Sequence, residues 1–334
     1  MQVVPIDFVV MWVDGTDPAW LADRARFTPS YSSDNTEERY RSMDTFRYWF
    51  RGVEKFCPWV RAVHFVTCGH TPEWLNLNAP KLHVVKHSDF FPSEYLPTFN
   101  NNALEMNLHR IPGLAEHFVS FNDDMYVISK MQPEDFFQDG LPVDMLALQP
   151  IIANPNNPVM SHLFLNNSLM LSRHFSKREV AKQRPGTFFH VGYPPLYFFY
   201  NALEMLFPQI TGFYTVHQPA TLLRSTMVRV WELEPDALHV TTANRFRDKT
   251  DLSIYAYQEW QKLSGSFVPR NVQRRFAYFE ISGDIDSAAK CIRKQRKKII
   301  CINDGPCEDF EARVQHLAYA FDAILPQKSS FEID

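Results

Sequence analysis

The chain has 334 residues with 34 Lys and Arg against 38 Asp and Glu, and a net charge of −4 excludes a dedicated nucleic-acid binder, which needs a surplus of cations on one face. At 45% hydrophobic and 22% charged it has the composition of a globular protein long enough for a large core and a second lobe, while 14% aromatic residues and 23 prolines predict rigid, aromatic-lined loops. Cysteines at 57, 68, 291, 301 and 307 form neither CxxC pairs nor an even framework, which favours reduced thiols over disulfides or a zinc site.

The first predicted element, IDFVVMWVD, is a continuous apolar run of strand length and suits a strand covered on both faces. It is not read as an export signal: it has no basic leader, Asp7 sits inside it, and it ends at Asp14-Gly15 without a small-residue cleavage site. The expected location is therefore cytoplasmic. In WVDGTDP, Asp14 and Asp17 flank Gly15, which lets the backbone turn sharply and approach a ligand, although Asp and Gly are equally the residues of an ordinary Asx turn. MDTFRYWFRGVEKF places Phe46, Trp49, Phe50, Val53 and Phe56 at helical spacing, with Arg47 and Arg51 one turn apart. Arginine forks match phosphate oxygens, and surface ion pairs are their commoner use.

AVHFVT and KLHVVKH read as the next two strands. NNNALEMNLHRI reads as a helix capped by Asn100, Asn101 and Asn102. HFVSFN is the fourth strand, and it runs straight into Asn122, Asp123 and Asp124. Adjacent carboxylates at the mouth of an apolar strand cost several kcal/mol each to desolvate unless a cation or strong donors meet them. Strand, helix, strand in repetition implies crossovers and a largely parallel sheet. Polar clusters at 14–17, 67–70, 87–89 and 122–124 all follow strands, which is where open α/β sheets bind ligands. The fold class is thus α/β, a Rossmann-like, mostly parallel sheet flanked by helices, with a loop- and helix-rich insertion. One domain is expected: a ligand-binding α/β core over 1–140, an insertion or acceptor-side lobe over 141–235, and helices and a strand completing the core over 236–334.

Beyond residue 140 the alternation fades into loops such as NPNNP. Residues 185–223 carry Glu204 as their only formal charge, yet Pro185, Pro194, Pro195, Pro208 and Pro219 preclude a membrane-spanning helix. His217 in TVHQPA is a candidate general base, and Arg245 and Arg247 in TANRFRDKTD are candidate phosphate ligands. IYAYQEWQKL and VQHLAYAFDAIL read as helices around a basic run, 290–298, and a strand, KKIICIND, that ends in Asn303 and Asp304. The basic run reads as a solvated helix face, with anionic lipid as its sharper alternative. Carboxylate pairs suit Mg²⁺ or Mn²⁺ held against a diphosphate.

The stretches IDFVVMWVDGTDP, FRYWFRGVEKFCPWVRAVHFVTCGHTPEWL and KLHVVKHSDFFPSEYLPTFNNNALEMNLHRIPGLAEHFVSFNDDMY closely resemble successive conserved regions of the Stealth family, sugar-1-phosphate transferases of capsule and cell-surface polysaccharide synthesis. VHQPATLLRS is similar to the third region and KKIICIND to the fourth. The resemblance implies a GT-A-like fold, a UDP-sugar donor, an oligo- or polysaccharide acceptor that is lipid-linked in some settings, and release of UMP. It assigns His217 as base, with Asp14 as alternative base or orienter and Arg247 among the catalytic groups. Asp123 and Asp124 would hold the cation. Trp12, Gly15, Asp17, Arg47, Arg51, Asn100, Asn102 and Asn122 would contact the donor. Peripheral membrane contact and a homodimer complete the expected partners. Two other readings remain open: a metal-dependent glycosyltransferase releasing UDP, and a saccharide-binding protein using the aromatic stretch FFHVGYPPLYFFY.

Overall fold

A computed structural model describes residues 4–28, 41, 43–155 and 157–333. Strands β1 (Ile6–Met11), β2 (Ala62–Thr67), β3 (Leu82–Lys86) and β4 (His117–Asn122) run parallel in the order β3-β2-β1-β4, with β8 (Ala220–Leu223) closing the sheet antiparallel to β4. The chain winds outward from β1 to β3 and then returns to the other side of β1. Carboxyl ends of β1 and β4 therefore lie side by side, Met11 opposite Asn122, at the point where strand order reverses. The fifth strand comes from within 141–235, so that stretch also builds the main sheet.

The apolar runs are explained by layers on both faces. On one face pack α2 (Phe46–Phe56), α11 (Ile285–Arg293) and α12 (Phe310–Asp322); on the other pack α4 (Asn101–Asn107), α8 (Arg224–Leu233), α9 (Pro235–Ala243) and α10 (Tyr255–Ser264). The predicted stripe of α2, Phe46 through Phe56, is buried as expected. Gly52 lets this helix ride directly on strand β5 (Met125–Val127): a Cβ there would stand 2.3 Å from the Val127 carbonyl oxygen.

Two residues separate β4 from β5, and this turn carries Asp123 and Asp124 out of the main sheet into a second one, β10-β11-β5. There β10 (Phe276–Glu280) and β11 (Ile299–Asn303) run parallel, and Cys301 of β11 faces Met125 of β5. The KKIICIND strand thus lies in this smaller sheet. The remaining elements are β6 (Phe137–Gln138), β7 (Leu141–Asp144) and β9 (Val268–Pro269), which form a third sheet, and the helices α1 (Pro18–Phe27), α3 (His87–Phe90), α5 (Pro158–Ser172), α6 (Lys177–Gln183) and α7 (Pro195–Glu204). Among the described residues no helix is long and apolar enough to cross a membrane.

Candidate active site

A cavity of about 1080 Å³ opens above the carboxyl ends of β1 and β4. Trp12 follows β1; Asn122, Asp123 and Asp124 come from the β4–β5 turn; His217 precedes β8; Arg247 lies on the loop after α9; Asn303 and Asp304 end β11. Both sheets therefore contribute their strand ends to one space.

The carboxyl pair is electrostatically strained. Asp123 opens to the cavity yet is crowded by protein, and the lost hydration lifts its carboxyl to about 6. Asp124 is pushed to about 7, first by burial and then by the charge of Asp123. Its Oδ2 accepts from the Cys301 thiol at 3.2 Å, while its buried Oδ1 has no hydrogen-bond partner among the described residues. Burial and Asp124 hold that thiol well above its ordinary pKa, so it remains a neutral donor. Asp124, His217 and Cys301 each place a ligand-type atom within 4.8 Å of the others. With the thiol protonated, the members of this cluster left to meet a cation are the Asp124 carboxylate and the His217 imidazole, and the Asp123 carboxylate lines the same cavity.

His217 is held from behind. Its Nδ1 lies 2.8 Å from the Tyr255 hydroxyl at the start of α10. Burial, then the charge of Arg247, lowers its pKa, which keeps the imidazole neutral at neutral pH. Arg247 directs Nε and Nη2 at Oδ1 of Asn101, at 2.7 and 2.5 Å. Asn101 in turn donates to Glu105 at 3.4 Å, and burial raises that carboxyl to about 7.

Trp12, Asn122, Asp123, Asp124, His217 and Arg247 line the cavity, whereas Asp14, Gly15, Asp17, Arg47, Arg51, Asn100 and Asn102 do not. Asp14 folds back on its own turn: Oδ1 accepts from the Thr16 amide and hydroxyl at 2.9 and 2.6 Å, and its amide donates to His70 at 2.8 Å. Burial works to raise its pKa, but these bonds and His70 bring it below the ordinary range. Asp17 caps α1 by accepting from the Trp20 amide at 2.7 Å, with Gly15 in the turn between. Arg47 stays at the surface beside Asp44 at 3.4 Å and over Trp74.

Three donor assignments need correction. Arg51 is 8% exposed and engages both oxygens of Glu332, at 2.9 and 2.8 Å, as well as the Leu325 carbonyl; its fork ties the chain's last turn to α2 and is not available to a diphosphate. Asn100 and Asn102 are buried around Asp251: Asn100 donates to its Oδ2 at 2.8 Å and Asn102 at 3.2 Å. Asn100 also reaches the Asn244 and Phe246 carbonyls. This buried knot fixes the loop bearing Arg247 onto the start of α4, and Asn101 between them is the one that faces the cavity.

Sequence reasoning missed Arg41, which holds Asp304 with two bonds, at 3.0 and 2.7 Å, and lies 3.5 Å over the Phe310 ring. Nothing in its local pattern marks it. Asp304 did carry a signal, as the polar end of an apolar strand.

Models of two Stealth conserved regions match the chain, region 1 over residues 4–32 and region 2 over 39–143. The capsular polysaccharide phosphotransferase WcwK of Streptococcus pneumoniae is 38% identical across 98% of both chains. The receptor polysaccharide phosphotransferase WefC of Streptococcus gordonii is 40% identical over 99% of this chain and 100% of its own. Among solved structures, the galactosyltransferase LgtC with donor and acceptor sugar analogues aligns over 95% of this chain and 96% of that one, at a TM-score of 0.41 and 10% identity.

Proposed function

This chain belongs to the Stealth family, and from that premise we propose that it transfers a sugar-1-phosphate from a UDP-sugar to a hydroxyl of a saccharide acceptor, releasing UMP, in capsule or cell-surface polysaccharide synthesis. The observation that carries the reading is the meeting of Asp123, Asp124, His217 and Arg247 in one cavity at the sheet's switch point. Phosphoryl-type transfer needs positioning and charge stabilisation more than a covalent nucleophile, and the site offers that kind of chemistry.

In this mechanism the acceptor oxygen bonds to the phosphorus that bears the sugar, and the bridging bond to UMP breaks. The acceptor proton passes to His217: Nδ1 faces Tyr255, which leaves Nε2 as the accepting nitrogen. Arg247, oriented by Asn101, offsets negative charge on the phosphates. Asp123 and Asp124 would hold Mg²⁺ or Mn²⁺, which supplies positive charge toward the leaving phosphate. Trp12 and Asn122 bound the donor side, while Met160 and Phe164 of α5 and Tyr214 supply an aromatic, apolar wall for the acceptor.

Replacing His217 by Ala and Asp124 by Ala tests these roles. Each variant is expected to lose transfer while His217→Ala still binds the UDP-sugar; wild-type turnover in either would remove its assignment.

A further inference from the structure

Helix α7 presents its apolar stripe outward. Leu196, Phe199, Tyr200 and Leu203 recur at helical spacing on one exposed face, Phe199 at 58%, and the stripe continues into Leu206 at 73% and Phe207 at 53%. Its polar residues make the anchor. Asn201 is fully buried, accepting from the Leu148 amide at 2.7 Å and donating to the Phe188 carbonyl at 2.7 Å. Glu204 accepts from the Thr211 hydroxyl, and the Tyr197 hydroxyl accepts from Gln273 at 2.6 Å. A helix on a globular protein ordinarily turns its apolar stripe to the core. Here buried hydrogen bonds fix the reverse orientation, so the exposed stripe is built into the fold.

The charges around the stripe indicate its occupant. Between 185 and 223 the only formal charge is Glu204, which is buried. The adjoining helix is basic: over 177–184, Arg178, Lys182 and Arg184 are exposed against Glu179 alone, while Lys177 is buried. It is docked on the end of α7, Lys177 donating to the Glu204 carbonyl at 2.6 Å and Arg178 to the Leu206 carbonyl at 3.1 Å. An apolar, aromatic stripe with a cationic rim is the composition of a helix lying in an anionic membrane interface. Two-fold pairing of chains through the same stripe would instead bring two basic rims together. The basic run at 290–298 lacks this combination, having no exposed large apolar side chain, and Lys298 is spent on Asp135 at 2.6 Å.

We propose that α7 and its basic flank seat the protein on a membrane surface containing anionic lipid, with Phe199, Leu203, Leu206 and Phe207 inserted among the headgroups. The seat adjoins the cavity wall, because Gln273, held by Tyr197, also bonds the Tyr214 hydroxyl at 3.0 Å and both line the cavity. The inference stands whichever phosphoryl chemistry the cavity performs.

Sedimentation of the full chain with phosphatidylcholine vesicles, with and without phosphatidylglycerol, tests it. The wild type is expected to pellet with the anionic vesicles and to be released by salt. The double variant Phe199→Ser/Leu206→Ser should lose on the order of tenfold in vesicle affinity, and Arg178→Glu/Lys182→Glu a similar factor on anionic vesicles. These side chains are exposed and none of them lines the cavity, so far-UV circular dichroism and transfer to a soluble acceptor should be unchanged. The proposal is overturned if the wild type stays in the supernatant with both vesicles, or if the stripe variant pellets equally. It is also overturned if analytical ultracentrifugation shows a dimer that the stripe variant dissociates, since the stripe would then belong to a second copy.

Discussion

Tyr255→Phe removes one hydroxyl and keeps the ring, which is stacked near Phe164 at 6.2 Å. The lost oxygen is 2.8 Å from Nδ1 of His217. While the imidazole is neutral, a bond of this kind is worth about 1 kcal/mol net; once the ring gains the acceptor's proton, the bond becomes charge-assisted and is worth about 2–3 kcal/mol. Only the difference, roughly 1.5 kcal/mol, acts on the chemical step, and it corresponds to about tenfold in kcat with KM for the donor unchanged. Initial rates of UMP release at saturating acceptor measure this directly. The acid limb of the kcat profile, which reports protonation of the base, should move to lower pH because His217 binds its proton less readily without the hydroxyl, a shift that a purely packing role for Tyr255 would not produce. Unchanged kcat, or a loss confined to KM, would refute the chain of reasoning from Tyr255 through His217 to the acceptor hydroxyl.

Arg51→Met should cost stability, by about 3 kcal/mol because the buried Glu332 carboxylate loses its cation and keeps only its bonds from Ser329, with an expected melting drop of several degrees and no change in donor KM; calorimetry and kinetics together decide between this and a donor role. Asp7, fully buried, resists ionisation through burial, but bonds from His64, Arg61 and the Ala115 amide bring its pKa below the ordinary 3.8. Its stabilisation is therefore complete above about 3.8 and is lost as pH falls through the lower folded value, so Asp7→Asn should lower the unfolding midpoint at pH 7 and flatten the acid limb in denaturant titrations. Gly52→Ala forces α2 away from the Val127 carbonyl, and because β5 carries the Asp124 turn, activity should fall along with a destabilisation of roughly 1–3 kcal/mol. Wild-type stability in that variant would show that the close approach is not required.

Much of the sheet was legible because its strands are buried on both faces and so read as unbroken apolar runs, IDFVVM and AVHFVT among them. Asp123 and Asp124 were legible for the converse reason, as charges where an apolar strand ends. Arg51 was misread because a helical arginine looks the same whether it meets a phosphate or a carboxylate 281 residues away. In the Asn100–Asn102 run, residue type is constant and only helix phase separates the two that grip Asp251 from the one that faces Arg247. Arg41 was invisible, since its meaning lies wholly in Asp304, 263 residues on. The inverted face of α7 was half legible: its lack of charge was plain, but which side its apolar residues take depends on Asn201 and Glu204 finding partners in distant loops.

The central claim is that the acceptor attacks phosphorus, not the anomeric carbon. Chromatography of the nucleotide released by the full chain, supplied with a UDP-sugar, Mg²⁺ and a saccharide acceptor, tests it most directly. UMP, in equal amount with a new phosphodiester, is the predicted product; UDP with a phosphorus-free glycoside would contradict the account.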